Sequence, residues 1–129
     1  MMAVTHTSTV RNAIADSIWD TLDSGLLKLR ITGSTADAPS TAACTLTLNA
    51  AAAAAASAGV VTAGAITSDT NATGNASPVA FGTLETSGGV VKVHFAVAAS
   101  GSDFNLSGGL TINAGDTVSC SSLTYTAPA

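Results

Sequence analysis

A chain of 129 residues with 47% apolar side chains has the size and composition of one domain with one core, so residues 1–129 are read as a single unit. Only 9% of residues are charged, and four Lys and Arg cannot neutralise a run of phosphates, which excludes nucleic-acid binding by counterion release. A net charge of -4 favours solubility but names no partner, and a chain this rich in Val, Ile and Leu with so little charge does not have the composition of disorder.

Residues 1–7 form an arm with neither a basic n-region nor an apolar h-region, so no secretory signal is expected and folding is expected in the cytoplasm where the chain is made. A helix is predicted over 8–24. Val10, Ile14, Ile18 and Leu22 recur at four-residue spacing, Ser8 or Thr9 can cap the start, and Ser24-Gly25 suits a left-handed end. The apolar arc runs from Val10 to Leu22, with Asn12, Asp16, Asp20 and Asp23 opposite as a solvated acidic face. Trp19 falls between the two faces, either at the rim of the core or as an exposed anchor.

From Leu26 the period changes to two. Leu27-Lys28-Leu29-Arg30-Ile31 reads as a strand with one wet face, and Cys44-Thr45-Leu46-Thr47-Leu48 as another with threonines outward. The Ala50 to Ala56 run is too short for a stable helix and is expected as a helical turn or a packed loop. Val60 to Ile66 resumes strand character, and residues 68–75 are a loop. Val79 to Leu84 and Val90 to Val97 flank Thr86-Ser87-Gly88-Gly89 as a hairpin, with Val91, Val93, Phe95 and Val97 on one face and Lys92, His94 and Ala96 on the other. A second hairpin is predicted from Leu110-Thr111-Ile112 through Asn113-Ala114-Gly115-Asp116 to a strand starting near Thr117. A bulge at Ser121-Ser122 would bring Val118, Cys120, Leu123 and Tyr125 onto one face. The expected fold is mainly β: an antiparallel β-sandwich over 26–126, jelly-roll or Ig-like or barrel-like, of about seven to eight strands with one N-terminal amphipathic helix. An uncharged outer strand face does little to prevent edge pairing, which points to cover by another subunit.

Groups that carry chemistry are sparse. His94 stands beside Lys92 on the outward parity of its strand and reads as a surface histidine, there is no Gly-x-Ser-x-Gly elbow, and Glu85 is the sole glutamate. Asp16, Asp20 and Asp23 lack a His or Glu partner for a metal, and Asp69 and Asn71 are explained by turn chemistry. The sequons at Asn71 and Asn105 carry little meaning in so Thr- and Ser-rich a chain, and the Gly-rich pieces Ser87-Gly88-Gly89 and Ser107-Gly108-Gly109 open no helix. No catalysis, cofactor or metal is expected. Cys44 and Cys120 are expected as free buried thiols, with a disulfide left open. Although mean hydropathy is +0.44, the uncharged stretch between Asp37 and Asp69 is mostly Ala, Gly, Ser and Thr with Pro39, so no membrane span is expected.

Three segments in order, Val10-Arg11-Asn12-Ala13-Ile14-Ala15-Asp16, Ala65-Ile66-Thr67-Ser68-Asp69-Thr70-Asn71-Ala72-Thr73-Gly74, and Ala114-Gly115-Asp116-Thr117-Val118-Ser119 with Ser122-Leu123-Thr124-Tyr125-Thr126, resemble a family of small structural proteins of tailed bacteriophages and prophages, associated with decoration (cement) of the capsid. The Ala50 to Ala56 run departs from the family, where a less repetitive loop with Pro and an aromatic residue is expected. The resemblance implies a non-enzymatic protein on the outer capsid surface of the virion. Its partners would be the major capsid protein and further copies of itself, a trimer ahead of a dimer. A cement protein needs an adhesive surface, expected at Val4, Thr5, His6, Thr7 and Trp19, and a self-association surface, expected around Thr45 and Thr47. The alternatives are a tail- or fibre-associated module recognising a host glycan, for which Trp19 and Tyr125 are a thin aromatic supply, and a small enzyme built around His94.

Overall fold

The computed structural model describes residues 4–74, 78–101, 104–105 and 109–128. Met1 to Ala3, Asn75 of the expected loop, and Leu106, Ser107 and Gly108 of the second sequon and glycine stretch lie outside the described residues.

Helix α1 (Ser8–Trp19) continues as a 3-10 turn over Asp20–Leu22, two residues short of the expected end. Its cap is Thr7, not Ser8 or Thr9: Thr7 is extended (φ -65, ψ 160), and its hydroxyl accepts from the Val10 amide at 3.3 Å. Ser24 takes the left-handed conformation (φ 54) that stops the helix, as expected. Gly25 then passes so close to the sheet that a Cβ on it would stand 2.3 Å from the Glu85 carbonyl oxygen.

The helix is rolled away from its expected face. Val10 is 44% exposed, Ile14 and Ile18 are half-buried, and the stripe that enters the core is Ala15, Trp19 and Leu22, at the i, i+4, i+7 spacing of a helical face. A Trp ring carries more apolar area than Val or Ile, so turning it inward gains more than leaving Val10 exposed loses.

Seven strands are described: β1 (Leu26–Ile31), β2 (Ala42–Thr47), β3 (Val60–Thr62), β4 (Val79–Glu85), β5 (Val91–Ala98), β6 (Phe104–Asn105) and β7 (Thr124–Thr126). They form a five-stranded sheet of order β2-β1-β4-β5-β6 and a two-stranded ribbon of β3 and β7. All pairs are antiparallel except β5 with β6. The architecture is therefore mainly β with one N-terminal helix. Along β1 the period of two sends Leu27 and Leu29 to one face, where Cys44 and Leu46 of β2 and Leu84 of β4 join them, all buried. Ala15, Trp19 and Leu22 of α1 and Val61 of β3 belong to the same core cluster. Each buried Leu is worth about 1.5–3 kcal/mol relative to exposure. Gly82 pairs with Phe95, and a Cβ there would lie 2.4 Å from the Phe95 ring, so the missing side chain leaves room for the ring over the strand.

The β4–β5 hairpin forms where expected, its turn closed by the Gly89 amide donating to the Thr86 carbonyl. Its register shifts between Leu84 and Glu85, so Val91 stands opposite Glu85 and simple alternation over Val91 to Val97 fails at its first residue. The Ala50 to Ala56 run is a packed loop: Ala52 is buried, its carbonyl accepts from the Gly64 amide, and Ala53 bridges Ala63. Strand β3 consequently ends at Thr62, short of the expected Ile66.

The second hairpin is corrected. The turn at Asn113–Asp116 exists, with the Asp116 amide on the Asn113 carbonyl and the Asn113 amide on Asp116 Oδ2, but its flanks pair elsewhere. The Val79 amide donates to the Leu110 carbonyl, and Val118 bridges Asp69. The chain then leaves Asp69 for β3, with Cys120 Sγ donating to the Ser122 carbonyl at the break, so a change of partner replaces the expected bulge. Val118, Cys120, Leu123 and Tyr125 still all reach the core cluster.

Candidate functional site

The expected acidic face of α1 has a structural task. Asn12 Oδ1 accepts from the Gly59 amide at 2.7 Å, Asp16 Oδ1 from the Ala56 amide at 2.8 Å, and Asp23 Oδ1 from the Ala52 amide at 2.9 Å. The polyalanine loop has no polar side chains of its own, so the helix supplies acceptors to amides that have no ladder partner. Asp20 and Asp23 are both exposed, so Asp23 accepts from the loop with its carboxylate still in water. Beside them the Arg11 guanidinium lies against Gly59, and its NH2 donates to the Ala127 carbonyl at 3.2 Å, tying the helix start to the chain beyond β7.

The outer face of β1 is corrected as well. Arg30 is 7% exposed and Glu85 2%, and the two share a closed network with Thr83. Arg30 Nε donates to Thr83 Oγ1 at 2.9 Å, Thr83 donates in turn to Glu85 Oε2 at 2.8 Å, and Arg30 NH2 reaches the same oxygen at 2.8 Å. Lys28 Nζ stands 3.3 Å from Glu85 Oε1, and Arg30 NH1 donates to the Ser40 carbonyl. A buried charge needs a partner and filled hydrogen bonds, and here one carboxylate serves two cations. His94, paired with Thr83 in the ladder, is half-buried rather than a free surface histidine, with Nε2 3.3 Å from Ser34 Oγ and its ring 5.0 Å from that of Phe81.

The residues expected to adhere separate into two groups. Val4, Thr5, His6 and Thr7 are exposed ahead of α1, with Val4 81% exposed. Trp19, by contrast, is 3% exposed and belongs to the core cluster, which removes it from the adhesive set and decides its two readings in favour of the core. Its indole Nε1 is buried without a hydrogen-bond partner.

Thr45 is half-buried and Thr47 exposed, but the edge of their strand is already covered by the chain itself. The Thr47 amide donates to the Thr67 carbonyl and the Thr67 amide to the Thr47 carbonyl, at 3.1 and 2.8 Å. The Thr45 amide donates to Asp69 Oδ2 at 2.8 Å, and the Gly74 amide to the Ala43 carbonyl. Segment 67–74 thus seals the β2 edge, and the turn residue Asp69 is one of its clasps. Contact at Thr45 and Thr47 is left to their side chains, not to added strand pairing.

A groove of about 370 Å³ opens between β5 and the stretch Leu123–Thr126, lined by Trp19, Leu84, Val93, Phe95, Leu123 and Tyr125 with His94 and the threonines beside them. No Asp, Glu, Lys or Arg lines it among the described residues. Sequence reasoning missed this groove, since its walls come from distant segments, and missed the Glu85 network, whose one legible signal was a lone glutamate at the end of an apolar strand. Cys44 and Cys120 are both free thiols; burial pushes Cys44 up to about 11 and raises Cys120. No group of three or more His, Cys, Asp and Glu side chains is placed to hold a metal ion, and no helix is long and apolar enough to cross a membrane, among the described residues. No protein-family model, curated protein or solved structure matches the chain.

Proposed function

We propose that this is a non-enzymatic structural protein of a tailed-phage virion, a capsid decoration (cement) protein that binds the assembled head and stabilises contacts between capsomers. The observation that carries the reading is the arm: Val4 to Thr7 project from a body whose β2 edge is sealed, and Val4 is 81% exposed with Val10 also open at the helix start. Under this reading the exposed arm, with Val4 as its aliphatic side chain, is the contact element. The sandwich belongs to the same proposal, in which the five-stranded sheet and the β3–β7 ribbon would be its two layers. The partners under this reading are the major capsid protein and further copies of the chain. On a lattice, weak contacts act together because a bound oligomer presents its remaining sites at high effective concentration. A protein that binds only the assembled shell stabilises it by linkage.

The test is binding of the purified protein to heads of the source phage, read by cosedimentation and by electron cryomicroscopy of the particles. Symmetric protrusions between capsomers, lost when residues 1–7 are deleted, are the expected result. Density at the tail, or undiminished head binding by the deletion variant, would overturn it.

A further inference from the structure

We propose that the groove between β5 and Leu123–Thr126 is the seat of an added β-strand: an extended segment of another protein lies in it and pairs with strand edges that this chain leaves open. In the function proposed above that segment belongs to the shell protein. The site rests on the fold alone, and only the naming of its source rests on that reading.

Both walls of the groove are strand edges. On one side, the Ala63 amide donates to the Leu123 carbonyl and the Ala127 amide to the Gly59 carbonyl, which puts the main-chain groups of Leu123, Tyr125 and Ala127 on the β3 side. By the alternation of an antiparallel ladder, the amides and carbonyls of Thr124 and Thr126 point the opposite way, and among the described residues nothing pairs with them. On the other side, β5 is held by β4 and meets β6 at Val97 and Ala98, so Val91–His94 has a strand neighbour on one side only among the described residues. His94 marks where the groove reaches this edge. Its ring is engaged on the outer face with Phe81 and Ser34, whereas Leu84 and Val93 line the groove from the core face, so the groove borders His94 at its main chain. The β2 edge is sealed by segment 67–74; these two edges are not, and an edge of unpaired N–H and C=O groups is a template for another strand.

The chemistry between the two edges selects an extended segment. A helix uses its amides internally, while an extended chain offers an N–H and a C=O at every residue. The side chains it turns inward meet Leu84, Val93, Phe95, Leu123 and Tyr125, with no Asp, Glu, Lys or Arg among the described lining, so apolar residues suit those positions. A volume of about 370 Å³ is at the small end of ligand sites and holds a short run of side chains, not a folded element. Trp19, 3% exposed, lines the same groove, and its indole Nε1 has no hydrogen-bond partner, a donor that a main-chain carbonyl matches. Lys92 is exposed and is the one formally charged residue of β5, which favours an acidic residue at the flank of the segment.

The probe is an end-blocked peptide, Glu-Val-Thr-Val-Thr-Val-Glu, with a control whose central Val is Pro and has no N–H to give to an edge. Each is titrated into the full chain and into Thr126→Pro, read by Trp19 emission and amide hydrogen exchange, and both proteins are cosedimented with heads. The Thr126 amide faces away from β3, so Thr126→Pro leaves the β3–β7 ladder its hydrogen bonds. A thermal melt checks its fold, and the Pro peptide carries the test without any substitution in the protein. The Val peptide should shift Trp19 emission saturably and slow exchange at the Thr124 and Thr126 amides. The Pro peptide, and the Val peptide on Thr126→Pro, should bind about tenfold or more weakly. Thr126→Pro should also bind heads more weakly than the full chain. No saturable binding, equal binding of the Pro peptide, or binding that protects neither threonine amide would overturn strand addition. A full chain that dimerises with those amides already protected would overturn it too, by making a second copy the occupant. Heads that hold Thr126→Pro as tightly as the full chain would overturn the shell protein as the source of the segment. If the peptides behave as expected but the full chain does not bind heads, the cement reading fails and the strand site stands.

Discussion

Replacing Glu85 by Gln tests whether the outer face of the sheet is held by charge. The substitution keeps the shape of the side chain and removes the negative charge that Arg30 meets at 2.8 Å and Lys28 at 3.3 Å. Arg30 is only 9% exposed in its side chain, so it cannot recover hydration in place, whereas Lys28 at 24% can swing toward water. Removing one partner of a buried pair costs about 3–5 kcal/mol, most of it from the charge left behind. An exposed pair is worth about 0–1 kcal/mol, so Lys28→Met should fall near that range. With about 4 °C in Tm per kcal/mol for a domain of this size, Glu85→Gln should melt roughly 12–20 °C lower. The assay is urea and thermal unfolding followed by circular dichroism, with the urea slope checked for constancy. A loss below about 1 kcal/mol in Glu85→Gln, or an equal loss in Lys28→Met, would refute the reasoning that Arg30 is the cation that depends on Glu85.

Three further predictions concern the loop, the helix end and the thiols. Asp16→Ala and Asp23→Ala should each cost about 1–3 kcal/mol, because the Ala56 and Ala52 amides lose their acceptors, while Asp20→Ala stays within about 0.5 kcal/mol; urea midpoints decide it. Gly25→Ala should cost at least about 1–3 kcal/mol, since its Cβ would meet the Glu85 carbonyl at 2.3 Å and backbone cannot rotate away as a side chain can; near-wild-type stability would show that the turn relaxes freely. Cys44, raised from 9.0 to about 11 by burial, should resist thiol reagents at pH 8 until the protein unfolds, with Cys120 reacting first. Because the folded thiol ionises at higher pH than the unfolded one, its contribution is fully present below pH 9 and is lost as pH rises from 9 to about 11. Stability should fall across that window by on the order of 1.4 kcal/mol for each step of one in pH, an alkaline destabilisation that Cys44→Ala removes.

What the residue pattern determined by itself is local in origin. The period change at Leu26 follows from how Cβ atoms project along helix and strand, and it located α1, β1 and β2. The turn formers before Val90 located the β4–β5 hairpin, and the left-handed stop at Ser24 was legible next to a glycine. Of the residues proposed for contact, the arm at Val4 to Thr7 was readable as outlying because nothing periodic includes it.

Tertiary structure decided which faces were wet and which segments paired. Lys28 and Arg30 alternate with leucines as a solvated face does, but Arg30 is buried because its side chain reaches Glu85, 55 residues away on the neighbouring strand. Asp16 and Asp23 read as solvated carboxylates, and became acceptors for amides 40 and 29 residues distant in a loop that brings no polar side chains. Trp19 sat between two faces on the helix, and the core took it because the helix could roll. The turn at Asn113–Asp116 was visible while its flanks were not, since the partners of Leu110 and Val118 are Val79 and Asp69 and no hairpin spacing encodes them. Hydrogen bonds and burial between distant segments depend on how the whole chain closes, and local periodicity carries no record of that.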